Sequence, residues 1–313
     1  MDRQPGEKYE RLIARVAALP PTPTAVAHPC SASALEGAVD AAEMGIIEPI
    51  LVGPRAKIEA VAKEAGLDIT RFELVDAPHS HAAAEAAVGV VREGRAEMLM
   101  KGSLHTDELM GAVVDRTKGL RTERRISHCF VLDVPTYPKP LIITDAAINV
   151  FPSLVDKVDI TRNAIDLAHA LGLERPKVAI MSAMETVNPT VPSTLEAAAL
   201  CKMADRGQIT GAELDGPLAL DNAIDPEAAR IKAIESPVAG QADILVVPDL
   251  EAGNMLAKSL SFMANADSAG IVLGARVPIT LTSRADTVQS RLASCAVATL
   301  VADYRRRNPT KAT

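Results

Sequence analysis

The chain has no tryptophan, and its 313 residues include only four Phe and three Tyr. So few rings leave almost no platform on which unpaired bases could stack. They also require a core made of Ala, Val, Leu, Ile and Met. Positive charge is in deficit: 33 Lys and Arg against 40 Asp and Glu give a net charge of −7. That argues against a nucleic-acid footprint, but not against small anions, which local cations can hold inside an acidic protein. No stretch approaches the ~20 apolar residues of a membrane span. The opening MDRQPGEKYERL has no apolar signal core, so the expected location is the cytoplasm.

The four cysteines (Cys30, Cys129, Cys201, Cys295) are far apart and form no CxxC pair, which suits buried thiols in a reducing compartment. Of the six histidines only His79 and His81 are close, and neither HExxH nor a Cys/His set accompanies them. A central metal is not expected. No GxGxxG follows a strand pattern, so a dinucleotide fingerprint is missing. The GxxxxGK[ST] spacing of a Walker loop is missing too.

What is present is rhythm. A chain of 313 residues makes one large or two modest domains. Apolar segments at 24–28, 46–53, 72–76, 97–102, 140–145, 177–183, 243–249 and 270–274 alternate with helical patterns such as 33–45, 55–66 and 81–94. Strands alternating with helices of 10–15 residues predict an α/β fold with mostly parallel sheets. Such sheets bind ligands beyond the carboxyl ends of their strands, so polar residues placed just after strands are the candidates for function. Apolar residues recur at helical period over 286–306, and Arg305, Arg306 and Arg307 then suit a helix C-terminus.

Five stretches meet that criterion. In VPITLTSRADT (277–287) an apolar strand gives way to Ser283, Arg284 and Asp286. Asp286 or Ser283 could cap the next helix, but a cap does not explain a cation at a helix N-terminus. Arg, a hydroxyl and helix N–H groups together suit a tetrahedral oxyanion such as phosphate. In MLMKGSLHTDEL (98–109), Lys101, Gly102, Ser103, His105 and Thr106 form a small, hydroxyl-rich turn before a helix. In SAMETVNPTVPSTLEAAAL (182–200), Glu185 and Asn188 follow a strand, and Ser193 or Thr194 is placed to cap an Ala-rich helix. AELDGPLALDNAI (212–224) carries Asp215, and VPDLEAGNMLAKSL (247–260) carries Asn254 at a helix start. Taken singly, each of these last three suits scaffold as well as site.

Taken together and in order, KGSLHTDEL, GLRTERRISH, ITDAAINVFP, SAMETVNPTVPSTLEAAALCKM, DGPLALDNAI, ADILVVPDLEAGNMLAKSL and SAGIVLGARVPITLTSRAD resemble the phosphate acetyl/butyryltransferases, from about residue 24 to 306. ETVNP and DGPLALDNA look more like the butyryl branch. The resemblance implies acyl-CoA + phosphate = acyl phosphate + CoA, with CoA and phosphate as substrates and no required cofactor. It implies a two-domain α/β fold of the isocitrate/isopropylmalate-dehydrogenase type, with the active site in the interdomain cleft, and a homodimer. Residues 1–142 with 286–313 would form the first domain and 143–285 the second. Ser283 and Arg284 match the family's phosphate-site positions, while Ser103 and Thr106 lie in a loop similar to its second phosphate-side loop. Two positions depart from the acetyl branch: Ser290 stands where that branch has an Asp proposed as thiol base, and Ala112 where it has an Arg. Asp286 is then the candidate for the base, or for the group that orients Arg284. The competing readings are a strict phosphate acetyltransferase, a metal- and NAD-dependent dehydrogenase on the same fold, and a non-catalytic acyl-CoA-binding protein.

Overall fold

The computed structural model describes residues 7–281 and 287–309. Those residues form a mixed α/β fold whose contacts divide into two compact units, parting at 124/125 and 268/269. The sequence reading placed its cuts at 142/143 and 285/286.

The discontinuous unit opens with α1 (Glu7–Ala17) and then alternates β1 (Thr22–Ala27), α2 (Ala32–Glu43), β2 (Ile47–Gly53), α3 (Arg55–Ala65), β3 (Glu73–Asp76), α4 (Ser80–Arg92), β4 (Met98–Lys101) and α5 (Thr106–Val114). The continuous unit holds β5 (Ser127–Asp133), β6 (Leu141–Thr144), α6 (Leu154–Ala170), β7 (Lys177–Met181), α7 (Pro192–Asp205), β8 (Glu213–Leu218), α8 (Leu220–Ile224), α9 (Pro226–Ile231), β9 (Ile244–Val246) and α10 (Leu250–Met263). β10 (Asp267–Leu273) leads back to the first unit, which β11 (Ile279–Thr280) and α11 (Val288–Arg307) complete.

Strand order in the discontinuous unit is β3-β2-β1-β4-β11-β10. Every neighbour pair is parallel except β10 and β11. In the continuous unit the order is β5-β6-β9-β7-β8, parallel except for β5 and β6. Parallel strands covered on both faces read as unbroken apolar runs. β4 (MLMK) is buried at every position, whereas the edge strand β3 (ELVD) is not buried at any. The largest fully buried side chains are Leu, Ile and Met, including Leu35, Leu51, Ile58, Leu99 and Leu132, so the core is aliphatic as the scarcity of rings requires. Leu292 to Asp303 of α11 are all buried, and its last turn carries Arg305, Arg306 and Arg307. Arg305 donates to the Ala275 and Arg276 carbonyls at 3.1 Å each.

Candidate functional site

β1 lies between β2 and β4, so the chain runs outward from β1 in both directions. The crevice beyond the carboxyl ends of β1 and β4 is a topological switch point, where doubly wound sheets bind ligands. Two loops meet there. His28 follows β1 with φ 54, a left-handed conformation uncommon outside glycine. Its carbonyl accepts from the Cys30 N–H at 2.8 Å and the Ser103 N–H at 2.9 Å. The Ser103 hydroxyl donates to the same carbonyl at 2.8 Å and accepts from the Cys30 N–H at 3.1 Å. Gly102 N–H donates to Ala27 O at 2.9 Å. These bonds stitch the loop leaving β4 to the loop leaving β1.

The sequence candidates of MLMKGSLHTDEL are thus placed together. Lys101 ends β4, only 8% exposed, with Nζ 3.4 Å from Gly102 O. Ser103, expected to donate to phosphate, gives its proton here to a backbone carbonyl. His105 is the N-cap of α5, and its N–H donates to Glu108 Oε2 at 2.8 Å. Thr106 opens the helix, exposed. Glu108 also accepts from the Ser80 hydroxyl at 2.7 Å and stands 2.8 Å from His81 Nδ1. The Ser80 hydroxyl bond, then the His105 N–H, hold its carboxyl below the usual range.

Ser283, Arg284 and Asp286 lie outside the described residues. On the flanks, Thr280 is fully buried and its Oγ1 has no hydrogen-bond partner among the described residues. The helix that follows is capped by Thr287, whose hydroxyl accepts from Ser290 N–H at 3.1 Å; the capping role considered for Asp286 or Ser283 belongs to Thr287. Arg291, a cation absent from the sequence candidates, donates to Ser33 O at 2.6 Å and so reaches the helix start after β1.

In the continuous unit the carboxyl ends of β6, β9, β7 and β8 gather a second set. Glu185 Oε2 accepts from Asn222 Nδ2 at 3.2 Å and Lys232 Nζ at 3.3 Å, and Lys232 also reaches Asp221 at 3.0 Å. Asn222 is fully buried, and its Oδ1 has no hydrogen-bond partner among the described residues. Asn188 organises its own turn, accepting from Thr190 N–H and hydroxyl at 2.9 and 2.8 Å. α7 starts at Pro192 with Val191 as N-cap. Ser193 and Thr194 therefore do not cap it; Thr194 bonds back to the Asn188 and Val191 carbonyls, and Ser193 pairs with Ser182. Asp215 sits inside β8, accepts from the N–H of Gly216 at 2.8 Å and is not joined to the Glu185 set. Asn254 Nδ2 donates to Ala146 O at 3.1 Å, beside Asp145, whose carboxylate accepts the N–H groups of Ala147, Ile148 and Asn149.

Sequence reasoning missed His28, Asp145, Asn222 and Lys232. A signal existed for the first: HPCS is a polar turn directly after the apolar TAVA. Among the described residues no group of three or more His, Cys, Asp or Glu has the geometry to hold a metal ion. No described helix is long and apolar enough to cross a membrane.

The α/β scaffold is shared with solved phosphotransacylase structures. A crystal structure of a branched-chain phosphotransacylase from Enterococcus faecalis superimposes with a TM-score of 0.79 at 30% identity, covering 90% of this chain and 99% of that one. Residues 81–299 match the family model described as phosphate acetyl/butaryl transferase. The phosphate acetyltransferase of Rhizobium meliloti is 67% identical over 299 residues, covering 96% of this chain and 95% of the relative. The phosphate butyryltransferase of Clostridium acetobutylicum is 41% identical over 296 residues, covering 95% and 98%. The chain belongs to the phosphate acetyl/butyryltransferase family and is a phosphate acyltransferase.

Proposed function

We propose that the chain moves an acetyl group between CoA and inorganic phosphate, without a metal or redox cofactor, in the cytoplasm. The observation that carries this reading is the 67% identity, over nearly the whole chain, with a protein named phosphate acetyltransferase. A second reading, butyryl transfer, is favoured by the ETVNP and DGPLALDNA stretches and by the full-length match to a phosphate butyryltransferase.

In this reading Arg284 and Ser283 hold phosphate against the thioester carbonyl, a matter of positioning that shortens the path to a near-attack geometry. Donors around the tetrahedral oxyanion come from Arg284 and from the loop of Lys101, Gly102, Ser103, His105 and Thr106. For its hydroxyl to serve, Ser103 has to turn from the His28 carbonyl. Asp286 orients Arg284 or serves as a base. Glu185, Asn188, Asp215 and Asn254 are the remaining candidates for contact with substrate. Transfer is direct, within a ternary complex. The protein works as a homodimer, which would cover exposed apolar side chains such as Phe151, Phe262 and Met263.

Thiol release from acetyl-, propionyl-, butyryl- and isobutyryl-CoA, with and without phosphate and with and without a chelator, tests this. Phosphate-dependent, chelator-insensitive release that is fastest with acetyl-CoA is the expected result. Fastest release with four-carbon chains would move the second reading to the front. CoA binding without any release would sink both.

A further inference from the structure

The transfer to CoA needs a group that removes the thiol proton, and the switch point holds an imidazole that the sequence did not single out, His28. His28 is more than nine-tenths buried. Its Nδ1 lies 3.3 Å from Ser103 Oγ, and Cδ2 turns toward Gly53, 3.7 Å from where a Cβ on that glycine would stand. The printed contacts thus involve Nδ1 and Cδ2, and Nε2 has no hydrogen-bond partner among the described residues.

Counting protons assigns the tautomer. Ser103 has one hydroxyl proton, given to His28 O at 2.8 Å, and one lone pair taken by the Cys30 N–H. With the hydroxyl proton on His28 O, the remaining lone pair accepts from Nδ1–H, an arrangement that leaves the ring's lone pair on Nε2. The charged groups acting on the ring are Lys57 of α3 and Glu108 of α5. Burial, followed by the Lys57 ammonium, lowers the imidazole pKa against the smaller opposing effect of Glu108. The net direction favours the unprotonated ring, the form a base needs.

We propose that His28 Nε2 is the base that takes the CoA thiol proton when acyl phosphate is the acyl donor. This rests on the phosphate-acyltransfer reading above. The S–H bond breaks and its proton passes to Nε2. The sulfur electron pair forms the C–S bond at the acyl carbon, the acyl C–O bond breaks, and phosphate leaves with that pair. The imidazolium then releases its proton to phosphate or solvent. In the opposite direction protonated His28 gives its proton to the departing thiolate. Besides its place among the oxyanion donors, Ser103 positions His28, because Oγ can accept from Nδ1–H whether its own proton points to the His28 carbonyl or to substrate.

The test is the pH profile of CoA acylation by acyl phosphate for the wild type, His28→Asn, Lys57→Gln and Asp286→Asn. Asn is at home in the left-handed region, and its amide can donate to Ser103 Oγ where Nδ1 does, while offering no base. His28→Asn is expected to lower kcat about 10²–10³-fold at neutral pH, with the KM for acyl phosphate within about twofold. The wild-type acid limb, with its midpoint below about 6.5, should vanish and leave a rate that climbs toward the thiol's own ionisation. Lys57→Gln removes an exposed cation from the folded surface and should move that limb to higher pH, a result that does not depend on how His28→Asn folds. The proposal is overturned if His28→Asn folds and keeps both rate and limb, if Lys57→Gln leaves the limb in place, or if only Asp286→Asn abolishes it. A wild-type chain with no turnover in either direction would instead sink the acyltransfer reading, and this proposal with it.

Discussion

Gly102 has no room for a side chain against Ala27: a Cβ added there would stand 2.4 Å from the Ala27 carbonyl oxygen and 2.6 Å from that of His28. Both contacts are with backbone, so the strain cannot be relieved by a rotamer change. Gly102→Ala is therefore expected to cost about 1–3 kcal/mol and to push the β4–α5 loop away from β1. Thermal unfolding and thiol-release assays check this. Turnover should fall further than the loss of folded protein explains, because the loop carries Ser103. Unchanged stability and rate would contradict the close packing of these two loops.

Arg284→Lys keeps the charge but loses the planar fork that matches two phosphate oxygens. The KM for phosphate is expected to rise at least about tenfold, which corresponds to about 1.4 kcal/mol, while CoA binding is unaffected. Initial rates over a phosphate series measure it. Wild-type phosphate affinity in this variant would remove Arg284 from the site.

Burial pushes the thiols of Cys129, Cys201 and Cys295 up to about 12 and raises that of Cys30. The thiolate is the reacting form, so none of the four is suited to carry an acyl group. Labelled CoA should not exchange into acyl-CoA unless phosphate is present. Exchange in its absence, lost on Cys→Ala substitution, would show a covalent intermediate.

The Asp115 carboxylate accepts the N–H groups of Lys118 at 2.7 Å and Thr117 at 2.8 Å, and the Thr117 hydroxyl at 2.9 Å. These bonds, led by Lys118, lower its pKa to about 2. The folded value is depressed, so the stabilising share is whole above the unfolded value of about 3.9 and is lost as pH falls through about 2. A carboxyl titration followed by NMR should give a midpoint near that lower value. A midpoint at the unfolded value would mean that the turn after α5 does not hold these bonds in solution.

The alternating pattern of 22–114 was legible because each buried strand is a continuous apolar run and each helix is long enough to show its period. β8 was not, because ELDGPL contains Gly216 and Pro217, which a sheet tolerates best at an edge, and an edge is where β8 lies. β5 escaped for another reason: SHCFVLD starts straight after a charged loop and runs antiparallel to β6, outside the strand–helix alternation. Lys101 to Thr106 stood out as polar residues following a strand. His28 did not, because the TAVAH pattern absorbs it into the strand and a left-handed φ leaves no mark when the residue is not glycine. The contact of Glu185 with Asn222, 37 positions away, depends on how β7 and β8 are paired, which no local pattern encodes.

The division of the chain also carries a consequence for its synthesis. Residues 125–268 form one uninterrupted unit, so every strand from β5 to β9 is available to its neighbours while the ribosome is still at work. The other unit is different. β4 pairs with β11, and the buried length of α11 belongs to the same body. Its earlier part can pair β4 with β1 at once, but the other side of β4 and the face covered by α11 stay open until those later elements have been made; nascent chains fold in the order their contacts become available. The unit whose strands begin first is thus completed last, with the β11 side of β4 open in the meantime.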